Sequence, residues 1–135
     1  MLTTILASAT VQGENGYAQK ITTPGHELTS DEPVKRGGTD TGPSPVELLL
    51  ASLGACTAIT FRMYGERKQW ELGVITVRLR LVKVGEQQRI ERAISTSGAL
   101  DAGQRERLLE IADKTPVTRV LAPGVTIHTT LETGA

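Results

Sequence analysis

The chain has 135 residues, enough for one domain with a modest hydrophobic core. Fifteen basic residues against fifteen acidic ones leave no net charge, which argues against a general affinity for nucleic acid or anionic membrane. A single cysteine, Cys56, excludes an internal disulfide and with it a secreted disulfide scaffold.

Other features of the composition narrow the class further. The aromatic residues are few (Phe61, Tyr17, Tyr64 and Trp70), so the core must come from Leu, Ile, Val and Ala. No basic segment followed by an apolar run opens the chain, so no signal peptide is expected. The central charge-free apolar run, Leu48 to Phe61, is 14 residues, short of the roughly 20 that span a bilayer. The expected address is therefore cytoplasmic, with no membrane partner. Zero net charge also removes colloidal repulsion and eases self-association.

Met1 to Ala9 alternates loosely, with Ile5, Ala7 and Ala9 on one face. Gly13 and Gly16 supply a turn, and Tyr17 to Ile21 returns, which predicts an N-terminal hairpin. Thr22 to Gly42 is rich in Gly, Pro, Asp and Thr. A loop of about 20 residues is long for a compact domain, so a helical turn or a short strand is expected within it.

Ser44-Pro45-Val46-Glu47 is the sharpest local signal. Ser44 caps a helix, Pro45 takes the first helical position, and Glu47 at the third closes a capping box. The helix should run to about Tyr64 or Arg67. Its apolar residues cover nearly the whole circumference: Leu48, Leu49, Leu50, Leu53, Ala55, Ala58, Ile59 and Phe61. A helix apolar all round needs burial all round, and a chain this small has little to surround it with. A second copy would supply the cover, which predicts a homodimer. Ala51 and Gly54 would permit close helix–helix approach.

From Glu71 to Val84 the period changes to two, with Ile75, Val77, Leu79 and Leu81 on one face and Thr76, Arg78 and Arg80 on the other. Gly85-Glu86 turns the chain. Gln88 to Thr96 continues with Ile90 and Ile94 inward and Arg89, Glu91 and Ser95 outward, a long antiparallel hairpin with one wet face. Trp70 is expected to anchor the helix end to this sheet. Asp101 and Gln104 then cap a second helix that packs Leu108, Leu109, Ile111 and Ala112 and exposes Arg105, Glu106, Glu110 and Asp113. Thr115-Pro116 starts a short third helix to Leu121, and Val125, Ile127, Thr129 and Leu131 pattern a closing strand.

The segment Gly42-Pro43-Ser44-Pro45-Val46-Glu47-Leu48-Leu49-Leu50-Ala51-Ser52-Leu53-Gly54-Ala55-Cys56 resembles the family of osmotically inducible protein C and the organic hydroperoxide resistance proteins (OsmC/Ohr). The similarity is greatest to an OsmC-like branch lacking the second cysteine. Gly37-Gly38, the hairpin from Leu72 to Ile94 and the run Ile111 to Leu121 follow in the family's order, so the likeness extends from about residue 30 to the end. It implies a single OsmC-like α+β domain over residues 1–135. It also implies a swapped homodimer in which antiparallel sheets enclose two central helices.

The chemistry implied is thiol-dependent reduction of organic hydroperoxides in oxidative stress, at sites on the subunit interface. Cys56 stands at the position of the peroxidatic cysteine. Thr115 stands where the resolving cysteine would be, so a one-cysteine cycle with an external thiol reductant is implied. The family's glutamate position is Val46, with Glu47 one place further on, turned by about 100°. Arg36, the one arginine before the helix, is the candidate for the family's arginine.

Each candidate also has a plain structural explanation. Free cysteine packs as a small hydrophobe, and Cys56 lies mid-helix, where the macrodipole gives a thiol little help. Glu47 is accounted for by the capping box, and Arg36 by a solvated loop. These leave a second functional class open: a non-catalytic homodimer binding a small apolar ligand at the subunit interface. His26 and His128 have no metal-ligand spacing with Cys56, and Gly37 to Gly42 lacks the Gly-Lys-Ser/Thr of a phosphate loop, so no metal or cofactor is expected. Arg78, Arg80 and Arg89 are expected on a solvated sheet face beside Glu91 and Gln87.

Overall fold

The computed structural model describes residues 2–132. They form two compact units, one up to Ala51 and one from Ser52 onward, with one long helix running through the boundary.

The first unit holds a three-stranded antiparallel sheet in the order β1 (Thr10–Gln12), β2 (Gln19–Thr23), β3 (His26–Ser30). The expected hairpin is therefore shifted. Its first strand is Thr10–Gln12, pairing Val11 with Ile21, while residues 2–9 are irregular and exposed. Met1 lies outside the described residues. The alternation of Ile5, Ala7 and Ala9 finds no neighbour within the unit, and an unpaired strand has little stability of its own.

The long loop, in which a helical turn or a short strand was expected, contains both. Pro24-Gly25 makes a two-residue turn between Thr23 and His26, with Gly25 at φ 80°, the conformation a type II turn requires at that place. Beyond β3, Val34–Arg36 forms one turn of 3-10 helix.

The remainder of this loop is organised by Asp31, which is 2% exposed. One carboxylate oxygen accepts from the Glu32 amide at 2.7 Å. The other accepts from the amides of Thr39 (3.2 Å) and Thr41 (3.1 Å) and from their hydroxyls (2.7 and 2.8 Å). Those bonds, led by the Thr39 and Thr41 hydroxyls, hold the Asp31 carboxyl well below the usual carboxylate range. The sign follows. A depressed carboxyl stabilises the fold above the unfolded value of about 3.9, and that contribution is lost as the pH falls through the folded value. Asp31→Asn, which sets an amide among five donors, is expected to lower the melting temperature at neutral pH by about 5–10 °C. The difference from wild type should narrow below about pH 4, measured by thermal denaturation across pH.

The long helix, α1 (Pro45–Lys68), begins as expected. The Ser44 amide donates to Glu47 Oε1 (2.9 Å), and the Glu47 amide donates to Ser44 Oγ (3.2 Å). Among the described helices it alone is long and apolar enough to cross a membrane. It buries a stripe instead: Leu53, Gly54, Thr57, Phe61 and Gly65. Ile59 and Met63 stay exposed (60% and 56%), as do Val46 and Leu49, so one chain leaves an apolar flank uncovered. Gly54 has a contact within the chain that the sequence did not show. Its missing Cβ makes room for Leu79 of the sheet, whose Cδ1 would stand 2.7 Å away.

In the second unit β4 (Ile75–Val84) and β5 (Gln87–Thr96) pair over ten residues each through the two-residue turn Gly85-Glu86. Gly85 alone has positive φ, the pattern of a type II′ hairpin turn. Ile75, Val77, Leu79, Ile90 and Ile94 are half-buried, whereas Leu81, near the hairpin end, is 37% exposed. Glu91 is half-buried on the expected wet face, held by Arg80 (2.7 Å) and Arg89 (2.8 Å).

Asp101 and Gln104 close the capping box of α2 (Ala102–Ala112). The helix buries Leu108, Ile111 and Ala112, but Leu109, expected to pack, is 66% exposed. It lies about 100° round the helix from Leu108, off the buried stripe. Thr115 caps α3 (Pro116–Leu121), with Pro116 at the first position.

The core of this unit is Phe61, Leu72, Leu108, Ile111 and Ala112, joined by Tyr64, Trp70, Ile75, Ile94 and Leu100. Trp70 packs on this core with its ring edge against Tyr64 (5.4 Å) and its amide donating to Gly65 O (2.8 Å), so these partners lie on α1 and not on the sheet to which it was expected to anchor the helix end. The expected closing strand does not form. Val125, Ile127 and Leu131 are 67–95% exposed and pair with no strand among the described residues.

Candidate functional site

Cys56 sits midway along α1 and is half-buried. Three residues from Leu53, it lies about 60° off the buried stripe, at its margin. The next residue, Thr57, is fully buried and donates to the Leu53 carbonyl at 2.7 Å.

Thr57 leads to the most concentrated polar cluster of the second unit. Arg92 Nη1 donates to Thr57 Oγ1 (3.0 Å) and to Thr118 Oγ1 (3.1 Å), and Nη2 donates to the Ala112 carbonyl (3.1 Å). Thr118 Oγ1 itself lies 2.6 Å from Thr115 Oγ1 and donates to Ala112 O at 3.1 Å. One guanidinium thus ties the helix beside Cys56 to the end of α2 and the cap of α3. A half-buried cation is costly unless its donors are met, and here neutral oxygens meet three of them.

Arg92 was not among the residues the sequence singled out. The signal was available, because Ile90 and Ile94 point inward and period two puts Arg92 with them. Asp31 carried no comparable signal, since its partners follow 8 and 10 residues later in an irregular loop.

The other sequence candidates are placed as follows. Glu47 is exposed in the first turn of α1, and its carboxyl is held low by the Ser44 amide and hydroxyl. On one helix, nine residues put Glu47 about 180° round from Cys56 and about 13.5 Å along the axis, while Val46 lies about 80° round. Arg36 is exposed at the end of the 3-10 turn in the first unit. Thr115 is fully buried, its hydroxyl satisfied by Thr118. No cluster of metal-ligating side chains occurs among the described residues.

A family profile described as OsmC-like protein matches residues 38–130, more than half the chain. The protein belongs to the OsmC-like family. No curated protein is similar enough to match.

Solved structures agree in fold. A Psychrobacter arcticus protein named for an osmotic stress and detoxification response superposes with a TM-score of 0.77 at 19% identity, over 91% of this chain and 93% of that one. An OsmC-like protein from Mycoplasma pneumoniae gives 0.75 at 14% identity, over 89% of each chain. The organic hydroperoxide resistance protein OhrB of Bacillus subtilis gives 0.60 at 21% identity, over 86% of this chain and 91% of that one. The α+β class expected from the sequence is thus the observed one.

Proposed function

We propose that this OsmC-like protein is a homodimer that reduces organic hydroperoxides with Cys56 alone and is recycled by an external thiol. The observation that carries the proposal is Cys56 itself, half-buried on α1 beside the Arg92-held Thr57, in a chain of this family.

In the cycle, the Cys56 thiolate attacks a peroxide oxygen. The S–O bond forms as the O–O bond breaks, and the alkoxide leaves and takes a proton to become the alcohol. Sulfur is oxidised to the sulfenic acid and the peroxide is reduced by two electrons. Thr115 has no sulfur to form a disulfide. An external thiol therefore condenses with the sulfenic acid, releasing water and leaving a mixed disulfide. A second thiol frees Cys56 and carries away the disulfide. Such a cycle belongs in a thiol-rich compartment, the cytoplasm.

Reduced protein mixed with cumene hydroperoxide should lose its one thiol faster than free cysteine does and gain the mass of one oxygen at Cys56. If the rate only matches free cysteine, the enzymatic proposal fails, and a non-catalytic ligand-binding dimer takes its place.

The dimer rests on the uncovered flank of Leu49, Ile59 and Met63 and on the unpaired apolar segment from Val125 to Leu131. Strand exchange would give that segment a sheet edge on the second copy. Sedimentation at micromolar concentration should give about 29 kDa, twice the 14.5 kDa chain mass. A species at the single-chain mass would refute it.

A further inference from the structure

A charged residue stands on the inner face of the hairpin. β5 turns Ile90, Arg92 and Ile94 to the same side, and all three are half-buried. Stability alone does not call for a charge at such a place, because an apolar side chain of similar size fills it with no charge to desolvate. The Asp113 carboxylate is 3.9 Å away and 84% exposed, so neutral oxygens carry the tie that Arg92 makes.

The protons of that tie follow one by one. A threonine hydroxyl has a single hydrogen to give. Thr57 gives its own to the Leu53 carbonyl (2.7 Å), so towards Arg92 it can only accept. Thr118 gives its own to the Ala112 carbonyl (3.1 Å), so it accepts from Arg92 and from Thr115. The network therefore has one arrangement, and no hydroxyl in it is free to turn. A single nitrogen, Nη1, is shared between Thr57 on α1 and Thr118 on α3. All of these residues belong to the second unit, and the turn of α1 that they pin, Leu53 to Thr57, includes Cys56.

We infer that, in the peroxide reduction proposed for Cys56, Arg92 is a positioning residue, a role that rests on that reading. Through Thr57 it fixes the turn from which the sulfur meets the peroxide. The sulfur must approach the O–O bond nearly in line with the leaving oxygen. A misplacement of about 1 Å costs on the order of 100-fold in rate. A small alkylating agent arriving from water sets its own approach and makes no such demand.

The test is stopped-flow oxidation of the reduced full chain by cumene hydroperoxide, set beside its alkylation by iodoacetamide. Arg92→Met and Thr57→Val should each slow oxidation about 10-fold or more, with alkylation within about threefold of wild type. Both should melt within about 5 °C of wild type. Thr57→Ser, which keeps the hydroxyl, should restore oxidation to within about threefold. Equal oxidation rates in wild type, Arg92→Met and Thr57→Val would overturn this role and leave the peroxidase reading standing. So would a Thr57→Ser variant as slow as Thr57→Val, or a parallel fall in oxidation and alkylation, which marks a general change at the thiol. A wild-type protein no faster than free cysteine would remove both readings together. If Arg92→Met or Thr57→Val does not fold, Thr118→Val, which takes the acceptor from the α3 end, decides by the same comparison.

Discussion

Cys56→Ser is expected to abolish peroxide turnover, with a loss on the order of 10³-fold or more, because no other group in the chain can take the oxygen. The chain has no second cysteine, and its two methionines cannot be recycled by a thiol. The wild-type stoichiometry is equally specific. Without added thiol, each subunit should consume one equivalent of cumene hydroperoxide and stop as the sulfenic acid. With dithiothreitol it should turn over, at a rate set by the thiol concentration once peroxide is in excess.

The reason lies at Thr115. Its hydroxyl is buried against Thr118 at 2.6 Å and caps α3, so the position keeps a structural role and has no redox one. A peroxidase assay following peroxide loss, with mass spectrometry of the arrested protein, separates the cases. Turnover by the serine variant would remove Cys56 from the mechanism. Turnover by wild type without thiol would remove the external reductant.

Gly98→Ala should destabilise the fold by more than about 4 kcal/mol. A Cβ on Gly98 would stand 1.9 Å from the Glu71 carbonyl oxygen and 2.8 Å from the Leu72 carbonyl carbon. Both are backbone atoms with no rotamer to yield. The same clasp, just beyond the ends of β4 and β5, carries the Gly98 amide to Leu72 O (2.9 Å) and the Ser97 amide to Val74 O (2.9 Å). Leu72 is 1% exposed at the centre of the second unit's core, so any shift that admits the methyl group disturbs that core. Gly103→Ala is the control. Its Cβ would meet only the Asp101 Oδ1 at 3.4 Å, an ordinary contact, and the variant should melt close to wild type. Urea denaturation of the two variants checks the contrast, and equal midpoints would refute it.

The local signals in the sequence were reliable because their causes are local. The box of Ser44 and Glu47, the box of Asp101 and Gln104, and the Thr115-Pro116 start each join residues three apart or fewer, and each formed as expected. The ten-residue hairpin followed from alternation and from Gly85-Glu86. Cys56 could be placed on its helix for the same reason.

Errors arose where an apolar pattern had to find a partner. Ile5 to Ala9 and Val125 to Leu131 both alternate like strands, yet a strand exists only when a neighbour supplies the other half of its hydrogen bonds. Leu109 was expected to pack because it is apolar, but one residue decides which side of a helix it occupies.

By itself, then, the sequence determined the helices, their caps and the hairpin, all of which depend on neighbours within a few residues. Only the tertiary structure decided that Arg92 meets Thr57 and Thr118, 35 and 26 residues away, and that Asp31 gathers Thr39 and Thr41. A charged side chain shows its type in the sequence but not the donors and acceptors that folding brings to it. For a buried guanidinium or carboxylate, those distant groups set the energy.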